Sequence, residues 1–166
     1  MLLQDARRAA RTAPGGELVL LGEQDRSLWD RGRIAEGVVL LGRAVSSGRV
    51  GPYTLQAAIA AAHAQAARLV ADWGRVVGLY DLLVRADPSP VVELNRAVAV
   101  AMRDGPASGL ALIDAVLARG DLDAYHLAHA ARADLLRRLG QTAQARAAYE
   151  RALALTRQEP ERRFIT

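Results

Sequence analysis

Apolar side chains recur along most of the chain at the three-to-four-residue spacing that places them on one face of an α-helix. The runs are separated by short breaks at Pro14-Gly15-Gly16, Gly48 to Pro52, Asp87 to Pro90, Asp104-Gly105-Pro106, Gly120-Asp121 and Gly140-Gln141. Between the breaks the pattern predicts helices near 2–12, 26–47, 53–70, 73–86, 90–103, 107–118, 122–139 and 142–157. Two of the starts have a local cause. Ser89 is placed to cap a helix whose first position is Pro90, where a missing N–H costs nothing, and Asp72 is placed to cap the helix that begins at Trp73.

Helices alternating with short turns raise the question of a fixed repeat. The segment His126 to Glu159 carries Ala133, Gly140, Ala145, Tyr149, Ala152 and Leu153 at the small and large positions of a tetratricopeptide repeat. Ala133 and Ala145 would let two antiparallel helices approach closely, Gly140 would make the turn, and Tyr149 with Ala152 would pack toward a neighbouring pair. A step back of about 34 to 35 residues puts Val98 in the role of Ala133, Gly105 at the turn and Leu110 in the role of Ala145. One more step finds Ala64, Tyr80 and Pro88 as the small residue, the aromatic and the terminating proline. The expectation is an all-α, right-handed α-solenoid of tetratricopeptide-like antiparallel helix pairs, an α-α superhelix forming one domain over 1–166. Within it, 1–52 supply capping helices, and 53–90, 91–121 and 122–159 form the repeat-like pairs. The long segment 26–47, with Leu28, Ile34, Val38, Leu41 and Val45, would cover the N-terminal end.

Composition sharpens this only in places. With 51% hydrophobic and 24% charged residues the chain is neither disordered nor membrane-like, and its alanine and leucine content favours helix over sheet. All 22 basic residues are arginine, but the 18 acidic ones are interspersed with them, so the net charge of +4 selects no ligand. The absence of cysteine removes disulfides, thiolate metal sites and cysteine nucleophiles and fits a reducing compartment. No apolar stretch approaches the roughly 20 residues needed to cross a bilayer, and Met1 to Arg11 has no signal-type apolar core, so a cytoplasmic location is expected.

Candidate chemistry is sparse. His126 and His129 lie three apart with Asp123 before them, a spacing that can present two metal ligands, yet no third strong ligand is near in sequence. Hydrogen-bonded residues between helices explain them better, and the same holds for His63. Gly105-Pro106-Ala107-Ser108-Gly109 lacks the spacing and the lysine of a phosphate loop. None of Asp25, Asp30, Glu36, Asp72, Asp81, Glu93 and Asp134 has a second acid at a catalytic spacing. The clusters Arg7, Arg8, Arg11 and Arg132, Arg137, Arg138 could meet phosphates or acidic partner residues, but read chiefly as solvated helix faces. Without interleaved aromatics they do not point to sequence-specific DNA binding. No catalytic, cofactor or metal residue is expected. The more informative set is the polar residues at matching phases of the first helix of each pair, where solenoids line a groove: Gln65 and Arg68, Asn95 and Met102, Asp134 and Arg137. Asparagine and arginine there suit capture of an extended segment's backbone or carboxylates.

The strings MLLQDARRAAR at 1–11, LVLLGEQDRSLWDR at 18–31, IAEGVVLL at 34–41, GPYTLQAAIAAAHA at 51–64, DWGRVVGLYDLL at 72–83, PSPVVELNRAVAVA at 88–101, HAARADLLRRLG at 129–140 and EPERRF at 159–164 stand in one order and spacing. Together they resemble the C-terminal tetratricopeptide-like extension of group 42 extracytoplasmic-function sigma factors, across nearly the whole chain. The resemblance implies a regulatory domain of a transcription initiation factor that contacts sigma regions 2 and 4 in the same chain, or RNA polymerase. Nothing here resembles regions 2 or 4 themselves, so this stretch alone would not direct transcription. A free-standing tetratricopeptide adaptor for an unrelated peptide, and less directly a small-molecule sensor, are the other readings. An unfinished solenoid end also leaves room for a homodimer of the isolated stretch.

Overall fold

The computed structural model describes residues 2–14, 19, 23–48, 50–65 and 72–156. The described residues are helical, with α1 (Leu2–Asp5), α2 (Arg31–Ser46), α3 (Pro52–Gln65), α4 (Trp73–Ala86), α5 (Pro90–Asp104), α6 (Pro106–Ala118), α7 (His126–Arg138) and α8 (Thr142–Leu155). The chain divides into two compact units, Met1–Asp87 and Pro88–Thr166, at the break the sequence places at Asp87 to Pro90.

In the first unit two expected helices are interrupted, for reasons the hydrogen bonds make plain. Instead of one helix over 2–12, α1 ends at Asp5 and a 3-10 turn follows at Arg8–Ala10. A continued helix would give the Ala6 carbonyl to the N–H of residue 10. That carbonyl accepts instead from the Asp30 N–H at 2.8 Å, while Ala10 donates to Arg7 at 3.1 Å. The predicted 26–47 helix likewise starts as a short 3-10 turn, Arg26–Leu28, and begins in earnest at Arg31. Asp25 accepts from the Ser27 N–H at 2.8 Å and Asp30 from the Arg33 N–H at 2.9 Å, two separate caps where the hydrophobic pattern suggested one start.

α2 then lies against α1 closely enough that a Cβ at Gly37 would fall 2.7 Å from Leu3 Cγ. Leu3, Ala60 and Ala61 form a core with Ile34, Val38, Leu41 and Ala57 packed around it, which seats α2 on α3 as a covering helix. The expected 53–70 helix is α3 as far as Gln65; residues 66–70 lie outside the described residues. α4 starts where Asp72 was expected to cap it, its carboxylate accepting from the Arg75 N–H at 3.0 Å, and it buries Val76, Val77 and Leu83.

In the second unit Ser89 has the extended backbone of a cap and Pro90 the first helical position, but the Ser89 side chain makes no capping bond, contrary to expectation. Gly105 (φ 97°), Gly120 (φ 81°) and Gly140 (φ 76°) take left-handed turns between helices, a conformation that costs other residues dearly. α7 begins at His126, not near 122. Residues 121–124 form a turn, Tyr125 donates to the Leu122 carbonyl at 2.9 Å, and Leu122 becomes a plug in the core with Ile113, Val116, Ala128 and Leu135.

In the α7–α8 pair the close approach expected of Ala133 and Ala145 is present, while Tyr149, expected to pack toward a neighbouring pair, lies on the pair's own core. Ala133 and Ala145 are buried together with Leu136 and Ala148, and Tyr149 packs on that cluster. The α5–α6 pair shows a correction. Val98, expected in the role of Ala133, is exposed, and Leu110 is half-buried. The close approach is made by Ala97 and Gly109, also twelve residues apart, where a Cβ on Gly109 would meet the Ala97 carbonyl at 2.7 Å. The close approach therefore falls one residue upstream of the positions read from the sequence. Among the described residues no helix is long and apolar enough to cross a membrane.

Candidate partner-binding surface

α5 is the most sharply two-sided helix of its unit. Leu94, Ala97 and Ala101 face the core, while Val91, Asn95, Val98 and Met102 fall at successive spacings of four, three and four residues on an exposed stripe. Val98 and Met102 are 37% and 44% exposed, so the stripe carries two large apolar groups in water beside one amide. Asn95 and Met102, both singled out by repeat phase, do share this face.

α7 contributes at the other side. Arg138 donates from Nη1 to Met102 Sδ at 3.6 Å, which brings the last turn of α7 to the last turn of α5. Asp134 and Arg137, however, are committed to each other at 2.7 Å, and Arg137 is held protonated by that bond and, after it, by Tyr149. The sequence reading offered Arg137 for partner carboxylates, but it is paired with Asp134, whereas Arg138 of the same arginine cluster pairs with no carboxylate among the described residues. Arg132, the third member of that cluster, is taken by Asp114 at 2.6 Å. Val91 and Val98 were therefore missed as members of the surface, and Arg138 was named only as part of an arginine cluster and not beside Met102. The signal available for the two valines was the helical spacing of apolar residues left over once the core face is assigned.

Gln65 is exposed at the end of α3 in the first unit, and Arg68 lies outside the described residues. His129 Nε2 lies 2.9 Å from the Asp123 carbonyl, and no group of three or more His, Cys, Asp or Glu suited to a metal ion occurs among the described residues. His63 stands edge-on to Trp73 with ring centroids 5.6 Å apart, its pKa pushed down by burial and then by Arg7. The first unit also has an apolar groove of about 410 Å³ between α1, α2 and α3, walled by Leu2, Leu3, Leu40, Leu41, Ala44 and Tyr53 among others.

Residues 1–45 match the model of a family of unknown function (DUF6596). Over 166 residues, 99% of this chain, the sequence is 45% identical to an uncharacterized protein of Rhizobium meliloti (strain 1021). The chain spans 39% of that relative's length. No solved structure matches.

Proposed function

We propose that this chain is a protein-interaction domain serving as the regulatory C-terminal extension of a group 42 extracytoplasmic-function sigma factor in the bacterial cytoplasm. Its helix pairs would be arranged as a right-handed tetratricopeptide-like solenoid. The observation that carries the interaction reading is the α5–α7 face: an exposed stripe of Val91, Asn95, Val98 and Met102 ending beside the guanidinium of Arg138, which no described carboxylate engages. Apolar anchors next to an amide and an arginine suit a helix or extended segment that carries carboxylates. The sigma assignment rests on the ordered strings quoted above. It is compatible with a relative in which the matched stretch is a minor part of a longer polypeptide. The domain would act by gating access to regions 2 and 4 of its own chain, or by adding a tethered contact to RNA polymerase.

The test has two parts. Genomic DNA in frame upstream of the Met1 codon is expected to encode helical segments resembling sigma regions 2 and 4; an intervening stop codon overturns the sigma assignment and leaves the free adaptor reading. Those regions, and core RNA polymerase, are then titrated with the chain and with Val98→Asp combined with Arg138→Glu. Binding weakened tenfold or more, about 1.4 kcal/mol, in a folded variant supports the face. Unchanged binding removes it.

A further inference from the structure

We infer that the first unit carries a carboxylate-binding site centred on Arg7, with the indole N–H of Trp29 as a second donor and His63 alongside. The guanidinium of Arg7 stacks at 5.7 Å from the Trp29 ring centroid, and Arg26 stacks on the same ring at 5.0 Å. Arg7 Nε is buried and has no hydrogen-bond partner, and no carboxylate pairs with Arg7 among the described residues. Trp29 is only 6% exposed, and its Nε1–H is also buried without an acceptor. Buried donors are satisfied in the great majority of folded proteins, so two orphaned donors beside one cation call for an acceptor supplied from outside.

Burial, and then the neighbouring Arg11, lower the pKa of Arg7, and Arg7 in turn helps to keep His63 neutral. Arg11 spends one Nη2–H on the Gln4 carbonyl at 2.6 Å and supplies no acceptor. Burial and the neighbouring Arg11 both work against the charged form of Arg7, which a bound anion would favour. A guanidinium presents parallel N–H groups to two oxygens at once, and an added indole N–H suits the remaining lone pairs of a carboxylate. The site is independent of the α5–α7 face and of the sigma reading.

Both tryptophans of the chain, Trp29 and Trp73, adjoin this cluster, so their emission reports on it. The full chain is titrated with succinate, with a capped Gly-Glu-Gly peptide and with inorganic phosphate, each against sodium chloride at matched ionic strength. The proposal expects a saturable emission change with succinate, the peptide or both. Succinate alone marks a free acid as the ligand and the peptide alone a protein side chain. It also expects the His63 titration midpoint, followed by NMR, to rise on binding. Arg7→Gln should weaken binding at least about tenfold, while Arg8→Gln, at an exposed neighbour, should not. Emission that follows sodium chloride equally, phosphate binding as tight as carboxylate, or binding unchanged in Arg7→Gln each overturns the site. Should Arg7→Gln not fold, a His63 midpoint in the wild type that moves no further with carboxylate than with chloride does the same.

Discussion

Gly109→Ala tests the closest packing in the second unit. The added Cβ would stand 2.7 Å from the Ala97 carbonyl oxygen and 3.0 Å from Ala101 Cα, and would collide with the Ala101 side chain. Two of those atoms are backbone, so no rotamer change relieves the contact and α5 and α6 must separate. Overpacking of this kind costs about 1–3 kcal/mol, and the separation also loosens Leu94, Ile113 and Val116 in the same core. Against it stands the gain from replacing a helical glycine by alanine, at most about 0.5–1 kcal/mol for Gly109 in the first turn of α6. The net expectation is a loss of about 1–2 kcal/mol, read as a lower urea midpoint by far-UV circular dichroism with an unchanged slope. Gly78→Ala in α4 is the control, since a Cβ there would meet nothing within 4 Å, and it should stabilise by about 0.5–1 kcal/mol. If Gly109→Ala were as stable as the parent while Gly78→Ala behaved as expected, the helix pair would not be clamped at that point.

Asp72→Ala removes the carboxylate that accepts from the Arg75 N–H and should cost about 1 kcal/mol, whereas Ser89→Ala, at a cap whose side chain bonds nothing, should change stability little in the same denaturation assay. His63 has a folded pKa below its ordinary value, so the unfolded chain binds the proton more readily; its contribution to stability is complete above the ordinary histidine range and is lost as pH falls through the folded pKa. Urea midpoints should therefore decline on acidification below neutrality, and His63→Gln should flatten that part of the profile; an equal decline in the variant would remove His63 as its cause. Arg132→Ala breaks a partly exposed pair with Asp114 and should cost no more than about 1 kcal/mol, with a larger shift in midpoint indicating packing by the arginine stem as well.

The all-helical class and most of the helices were legible because turn residues and apolar spacing agree, with Gly105, Gly120 and Gly140 each standing at a helix end. The misplacements came where a tertiary bond outranked local pattern. The tie between Asp30 and Ala6 ends α1 early, and it joins residues too far apart for periodicity to register. The one-residue slip in α5 has another cause: from Ala97 to Ala101 small and branched apolar residues alternate, so either register satisfies a size pattern until Gly109 selects one. The surface was half legible for the same kind of reason. Repeat phase found Asn95 and Met102, but the assignment of each arginine depends on which carboxylate reaches it across a neighbouring helix, as Asp114 reaches Arg132.

At their closest points the helix seams of the second unit are built from side chains with nothing to lose. Alanine and glycine give up no rotamers on burial, so joining Ala133 to Ala145 and Ala148, or Ala97 to Gly109, restrains backbone alone. Leucine or methionine at those points of closest approach would bring more area but also more freedom to be frozen. The smooth seam makes helix pairing permissive on the outside and strict within. Outward positions such as Asn95 and Val98 can therefore change without disturbing the approach of Ala97 to Gly109 that keeps the two helices close beneath them.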